Sequence, residues 1–114
     1  MCSISFIGAG NVAMRFSLSL AEAGYKIGTI YGRSEKNVSK VVKTLERNGF
    51  NAKPSFSISD VFSSSVVIIA VSDNAIGNVA SQLPHKDSFT VHTSGATPMT
   101  VLKEAGLNNV GVFY

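Results

Sequence analysis

The run Gly8-Ala9-Gly10-Asn11-Val12-Ala13 has the residue types and spacing to hold a pyrophosphate. Gly8 permits a tight turn. Gly10 has no Cβ, so backbone can come close to a phosphate. Ala13 is small enough for a following helix to pack against the preceding strand. The first N–H groups and the dipole of that helix then face the anion. A dinucleotide-binding chain usually carries Asp or Glu about 20 residues further on, bonding the ribose 2′-hydroxyl. This chain has Tyr31-Gly32-Arg33-Ser34 there. Arg33 and Ser34 offer a guanidinium, a hydroxyl and a helix N-terminus to a phosphate, which favours NADP (NADPH) over NAD. The alternative is that Arg33 is solvated and Ser34 is a helix cap alone.

Two further groups follow β-rich runs. Val71-Ser72-Asp73-Asn74-Ala75-Ile76 reads as a loop that caps a helix. Val71, Ser72, Asp73 and Ile76 are placed to line the bridge between the two halves of a dinucleotide. In His92-Thr93-Ser94-Gly95, His92 reads as a core residue. Thr93, Ser94 and Gly95 lie past a strand end, where a nicotinamide would rest, and Ser94 can bond a carboxamide or a substrate carbonyl. No nucleophile–base–orienter set and no metal-ligand spacing is present, so catalytic residues stay unassigned.

Placing these groups takes alternating strands and helices. Ile4 to Ile7, Ile27 to Tyr31, Asn51 to Lys53 (stopped by Pro54), Val66 to Val71, Phe89 to Thr93 and Val110 to Phe113 read as strands. The first helix carries Val12, Phe16, Leu20 and Ala23 at helical spacing and ends at Gly24. The second is capped by Ser34, buries Val38, Val41, Val42 and Leu45, and ends at Gly49. Residues 57–65 are open between a short helix and a loop. A further helix starts at Ser72 or Asp73 and presents Ile76, Val79, Ala80 and Leu83. The last starts at Thr97-Pro98 and ends at Gly106. This alternation specifies an α/β fold: a three-layer, doubly wound parallel sheet of about six strands with helices on both faces. Ligands in such folds sit at the carboxyl ends of the strands.

Composition narrows the class. The chain has 114 residues, 45% hydrophobic and 15% charged, which excludes disorder and fits one domain. Its longest apolar run, Val66 to Val71, is far too short to span a membrane. The single cysteine, Cys2, allows no internal disulfide and fits a reducing, cytoplasmic setting; the N-terminus lacks the pattern of a signal peptide. The net charge of +3 is too mild for a nucleic-acid binder. Residues 26–53 nonetheless hold Lys26, Arg33, Lys36, Lys40, Lys43, Arg47 and Lys53 against Glu35 and Glu46. The stripe Lys36, Lys40, Lys43, Arg47 reads as the solvent face of its helix, adding to the potential that attracts an anion.

The segments 6–13, 31–34, 71–76 and 91–95 together resemble a family of NADP-dependent oxidoreductases. These pair a Rossmann-like N-terminal domain with a helical C-terminal domain. They are similar to pyrroline-5-carboxylate reductase and, more distantly, to the β-hydroxyacid and 6-phosphogluconate dehydrogenases. The resemblance covers nearly the whole chain, and His-Thr-Ser-Gly is its most specific motif. The family often has proline where this chain has Ser72. The resemblance implies that residues 1–114 are the NADP-binding domain of a longer protein. The helical domain would form a homodimer and close the site over a small-molecule substrate. The expected function is hydride transfer between NADPH and a C=O or C=N bond; the rival is a nucleotide-sensing or interaction module of the same fold without that chemistry.

Overall fold

The computed structural model describes residues 3–56, 66–71, 73–82, 89–93, 100–107 and 109–112. In chain order the elements are β1 (Ser3–Ile7), α1 (Asn11–Glu22), β2 (Lys26–Tyr31), α2 (Glu35–Arg47), β3 (Lys53–Ser55), β4 (Val66–Ile69), α3 (Asp73–Gln82), β5 (Phe89–His92), α4 (Thr100–Glu104) and β6 (Asn109–Val112). The strands are parallel and ordered β3-β2-β1-β4-β5-β6. This is the expected doubly wound α/β sheet. The order reverses between β1 and β4, and that is where such folds open a crevice. The expectation for 57–65, the cap at Thr97-Pro98, Leu83 and Phe113 lie outside the described residues.

Strand alternation gives each face of the sheet its own core. On one side Ile4, Phe6, Ile27, Ile30 and Ile68 pack with Ala13 and Ala21 of α1 and with Val38, Val41 and Leu45 of α2. On the other side Ile7, Val67 and Ile69 pack with Ile76 and Ala80 of α3, Leu102 of α4 and Leu107. The β1–β2 pairing carries an irregularity: Ile4 pairs with Ile27, but Phe6 pairs with Ile30. Gly28 and Thr29 thus stand opposite Ser5 alone. The buried Ser5 hydroxyl accepts the Thr29 N–H at 3.2 Å, so the bulge leaves that donor bonded.

Two sequence expectations need correction. The buried positions of α1 are Ala13, Ser17 and Ala21, with Phe16 and Leu20 half-buried, whereas Val12 and Ala23 are exposed. Small residues seat this helix close to the sheet, so its large apolar residues fall beside the contact line. The third strand is Lys53–Ser55 and includes Pro54. β3 is an edge strand, where a residue without an N–H is tolerated.

Helices α1, α2 and α4 end alike. Gly24, Gly49 and Gly106 adopt positive φ, and the next N–H reaches back to Leu20, Leu45 and Leu102 respectively. This double-bonded end satisfies carbonyls the helix would otherwise orphan.

Candidate functional site

The carboxyl ends of the central strands are tied together by backbone. The Gly8 N–H donates to the Tyr31 carbonyl at 2.7 Å, and the Ala70 N–H donates to the Ile7 carbonyl at 2.8 Å. The Gly32 N–H donates to Ser55, and the Thr93 N–H to Ile69, both at 3.2 Å. Against these ends lies a cavity of about 310 Å³. Gly8, Ala9 and Gly10 form its floor, Tyr31, Gly32, Arg33, Ser34 and Asn37 one side, and Val71, Ala75, Val79 and Gln82 the other.

The three glycines here do different things. Gly8 has φ +113°, and a Cβ on it would stand 2.4 Å from the Ala70 carbonyl oxygen. The fold itself requires glycine there. At Gly32 a Cβ would meet the Val38 side chain at 2.8 Å and Ala9 Cβ at 3.0 Å, so packing excludes one. Gly10 is different: it has φ −84°, ψ −167°, open to any residue, and a Cβ on it would meet no atom of the described residues within 4 Å. Nothing among the described residues needs a glycine at this point of the cavity floor. A ligand seated against the backbone would.

Gly10 is also the N-cap of α1. It supplies no side-chain bond, the first turn has no acidic residue, and the first intrahelical bond is Met14 N–H to Gly10 carbonyl at 3.0 Å. The preceding N–H groups have no partner within the helix. A 12-residue helix thus brings its positive end, uncapped by side chains, to the cavity floor. On the adjoining side, the exposed Ser34 caps α2 by accepting the Asn37 N–H at 3.2 Å. Its hydroxyl hydrogen stays available to donate. Arg33 brings the cavity lining its charged side chain among the described residues, and no carboxylate is among them. The uncapped helix end and the bare Gly10 fit the pyrophosphate of a dinucleotide.

Of the residues expected from sequence, Gly8, Ala9, Gly10, Arg33, Ser34 and Val71 converge on this cavity. Asn11 and Val12 are exposed at the start of α1, and their side chains are not in the lining. Thr93 is half-buried at the end of β5 and also stands outside the lining. Ile76 requires correction: it is fully buried in the core beneath α3 and seats that helix instead of lining the cavity. Ser72, Ser94, Gly95 and the Asp73 side chain lie outside the described residues. His92 is fully buried, as expected of a core residue. Sequence reasoning missed Asn37, Val79 and Gln82, and reached Ala75 only within the run 72–76. Ala75, Val79 and Gln82 recur at i, i+4 and i+7, one helical face next to the core stripe Ile76–Ala80, and that spacing was the available signal. Among the described residues no group of three or more His, Cys, Asp or Glu could hold a metal, and no helix is long and apolar enough to cross a membrane.

Comparison with known proteins agrees with this architecture. A Bacteroides fragilis protein assigned as an NADP oxidoreductase superposes with TM-score 0.84 at 26% identity, over 99% of this chain and 43% of that one. Prephenate dehydrogenase of A. aeolicus, solved with NAD+ and hydroxyphenyl propionate, shares the fold with TM-score 0.78 at 20% identity, over 98% of this chain and 41% of that one. Malate dehydrogenase of Plasmodium falciparum, solved with NADH, does so with TM-score 0.78 at 16% identity, over 93% and 40%. The chain thus spans less than half the length of these proteins. No match was found among curated proteins. The family model described as NADP oxidoreductase, coenzyme F420-dependent, matches residues 3–94, and the chain is a Rossmann-fold, dinucleotide-binding oxidoreductase domain that belongs to that family.

Proposed function

We propose that this domain binds NADPH in preference to NADH and serves hydride transfer to or from a C=O or C=N bond of a small substrate. The supporting observation is the end of β2, where Arg33 and Ser34 stand at the cavity and no carboxylate is among its described lining residues. A carboxylate there would accept the ribose 2′-hydroxyl and repel a 2′-phosphate; a guanidinium with a free hydroxyl hydrogen does the reverse. The α1 N-terminus and the bare backbone of Gly10 hold the pyrophosphate. Val71, Ala75 and Val79 give the opposite wall an apolar surface for flat rings.

The bound nicotinamide supplies the hydride. The chain's own work is to fix the cofactor's phosphates and direct its far end along the carboxyl edge toward β4 and β5. Thr93 is at that edge, and Ser94 and Gly95 follow it in sequence. Substrate closure and dimer formation we assign to a helical domain beyond this one, in keeping with a chain that covers 43% of its Bacteroides relative. Parallel calorimetric titrations with NADPH and NADH test the proposal. Tighter binding of NADPH supports it; equal affinities overturn the 2′-phosphate assignment, and no binding of either overturns the cofactor assignment.

A further inference from the structure

Resting on that NADPH reading, we infer that the outer face of α2 is an electrostatic guide that favours NADPH over NADH by rate of capture, apart from any contact in the cavity. Lys36, Lys40, Lys43 and Arg47 are all exposed, and none is in the cavity lining. At about 100° per residue, they fall within an arc of about 60°, directly opposite the buried stripe Val38–Val41–Leu45. Glu35 and Glu46 point about 100° from the centre of that arc, so neither interrupts the row. The same helix delivers its N-terminal end to the cavity through Ser34 and Asn37. The row therefore starts at the mouth of the site and recedes from it. At 1.5 Å per residue, Lys40, Lys43 and Arg47 stand about 4.5, 9 and 15 Å along the axis from Asn37.

These distances straddle the screening length, about 8 Å at physiological ionic strength and about 30 Å at 0.01 M. At low salt the whole row acts on an approaching anion; at physiological salt its near end does. The ribose phosphate adds about 1.5 to 2 negative charges to NADPH, roughly doubling its charge over that of NADH. A long-range field acts on association and leaves dissociation alone. The row therefore raises the capture rate of NADPH more than that of NADH.

The test is stopped-flow capture followed by nicotinamide fluorescence, in a protein without tryptophan. The variants are K40Q/K43Q/R47Q and the charge-conserving K40R/K43R. At 10 mM salt the triple variant should capture NADPH about fivefold more slowly and NADH about twofold more slowly, with both dissociation rates unchanged. At 500 mM salt the difference from wild type should vanish, and K40R/K43R should match wild type throughout. Unchanged NADPH capture at 10 mM, equal slowing for NADH, or an effect on dissociation would each overturn the guide while leaving the binding site standing. No NADPH binding by the wild-type chain would overturn both.

Discussion

Replacing Gly10 and Gly8 separately by alanine divides what the fold needs from what a ligand needs. At Gly10 the new Cβ meets no atom of the described residues within 4 Å, and the backbone angles suit alanine. Alanine is a poorer N-cap than glycine but restricts the unfolded chain, so Gly10→Ala should alter stability by less than about 1 kcal/mol. Gly10 lines the cavity, so a methyl group there should crowd a ligand seated on its backbone at the α1 N-terminus. A pyrophosphate held off that end loses at least one hydrogen bond to a charged group, about 1.5–3 kcal/mol, and affinity should fall about 10- to 100-fold. NADPH and NADH should lose equally, because both carry the pyrophosphate. At Gly8 the added Cβ lies 2.4 Å from the Ala70 carbonyl oxygen and the φ is +113°. A strained backbone and a clash with backbone that cannot rotate away each cost about 1–3 kcal/mol. Gly8→Ala should therefore lower the melting temperature by about 8–20 °C. The assay is calorimetric titration beside thermal melting by circular dichroism. A Gly10→Ala protein that melts normally and binds both cofactors as wild type does would refute the pyrophosphate seat. One that melts as low as Gly8→Ala would show that glycine is structural at both positions.

Three other outcomes are expected. Arg33→Ala should weaken NADPH by about 1.5–3 kcal/mol and leave NADH nearly unchanged in the same titrations; equal losses would remove Arg33 from 2′-phosphate recognition. Ser34→Asp keeps an acceptor for the Asn37 N–H, so its melting temperature should hold within a few degrees while cofactor preference swings toward NADH; an unaltered preference would show that residue 34 is only a cap. Ile76→Ala should cost about 2–5 kcal/mol in urea denaturation and leave the NADPH affinity of the folded protein unchanged, as expected of a core residue outside the cavity lining.

The sheet and the glycine turn at the head of α1 were legible because both are written in local chemistry. Gly8-x-Gly10 between a strand and a helix needs no distant contact to be read, and neither does the lack of a carboxylate around Arg33. The errors arose where a partner decides. Val12 and Ala23 fit helical spacing, but the sheet accepts α1 through Ala13, Ser17 and Ala21, residues too small to announce a buried face. Pro54 marks a strand end only if that strand has neighbours on both sides, and β3 has one. Ile76 sits one residue from a cavity-lining position, and a rotation of 100° separates core from cavity wall.

The bulge opposite Ser5 has a consequence for how such a strand can be tuned. Ile27 and Ile30 are three residues apart yet enter the same core, which strict alternation forbids. The extra residue acts as a phase shifter: β2 runs in one phase as far as Ile27 and in the opposite phase from Ile30 onward. Core packing locks both phases, through Ile27 upstream and Ile30 downstream, and the downstream phase continues into Tyr31, Gly32 and Arg33 at the cavity. Moving the cavity end of the strand would therefore also move Ile30 within the core, so the bulge ties the cavity edge to the packing of β2. The Ser5 hydroxyl, accepting the Thr29 N–H, marks the point at which the phase changes.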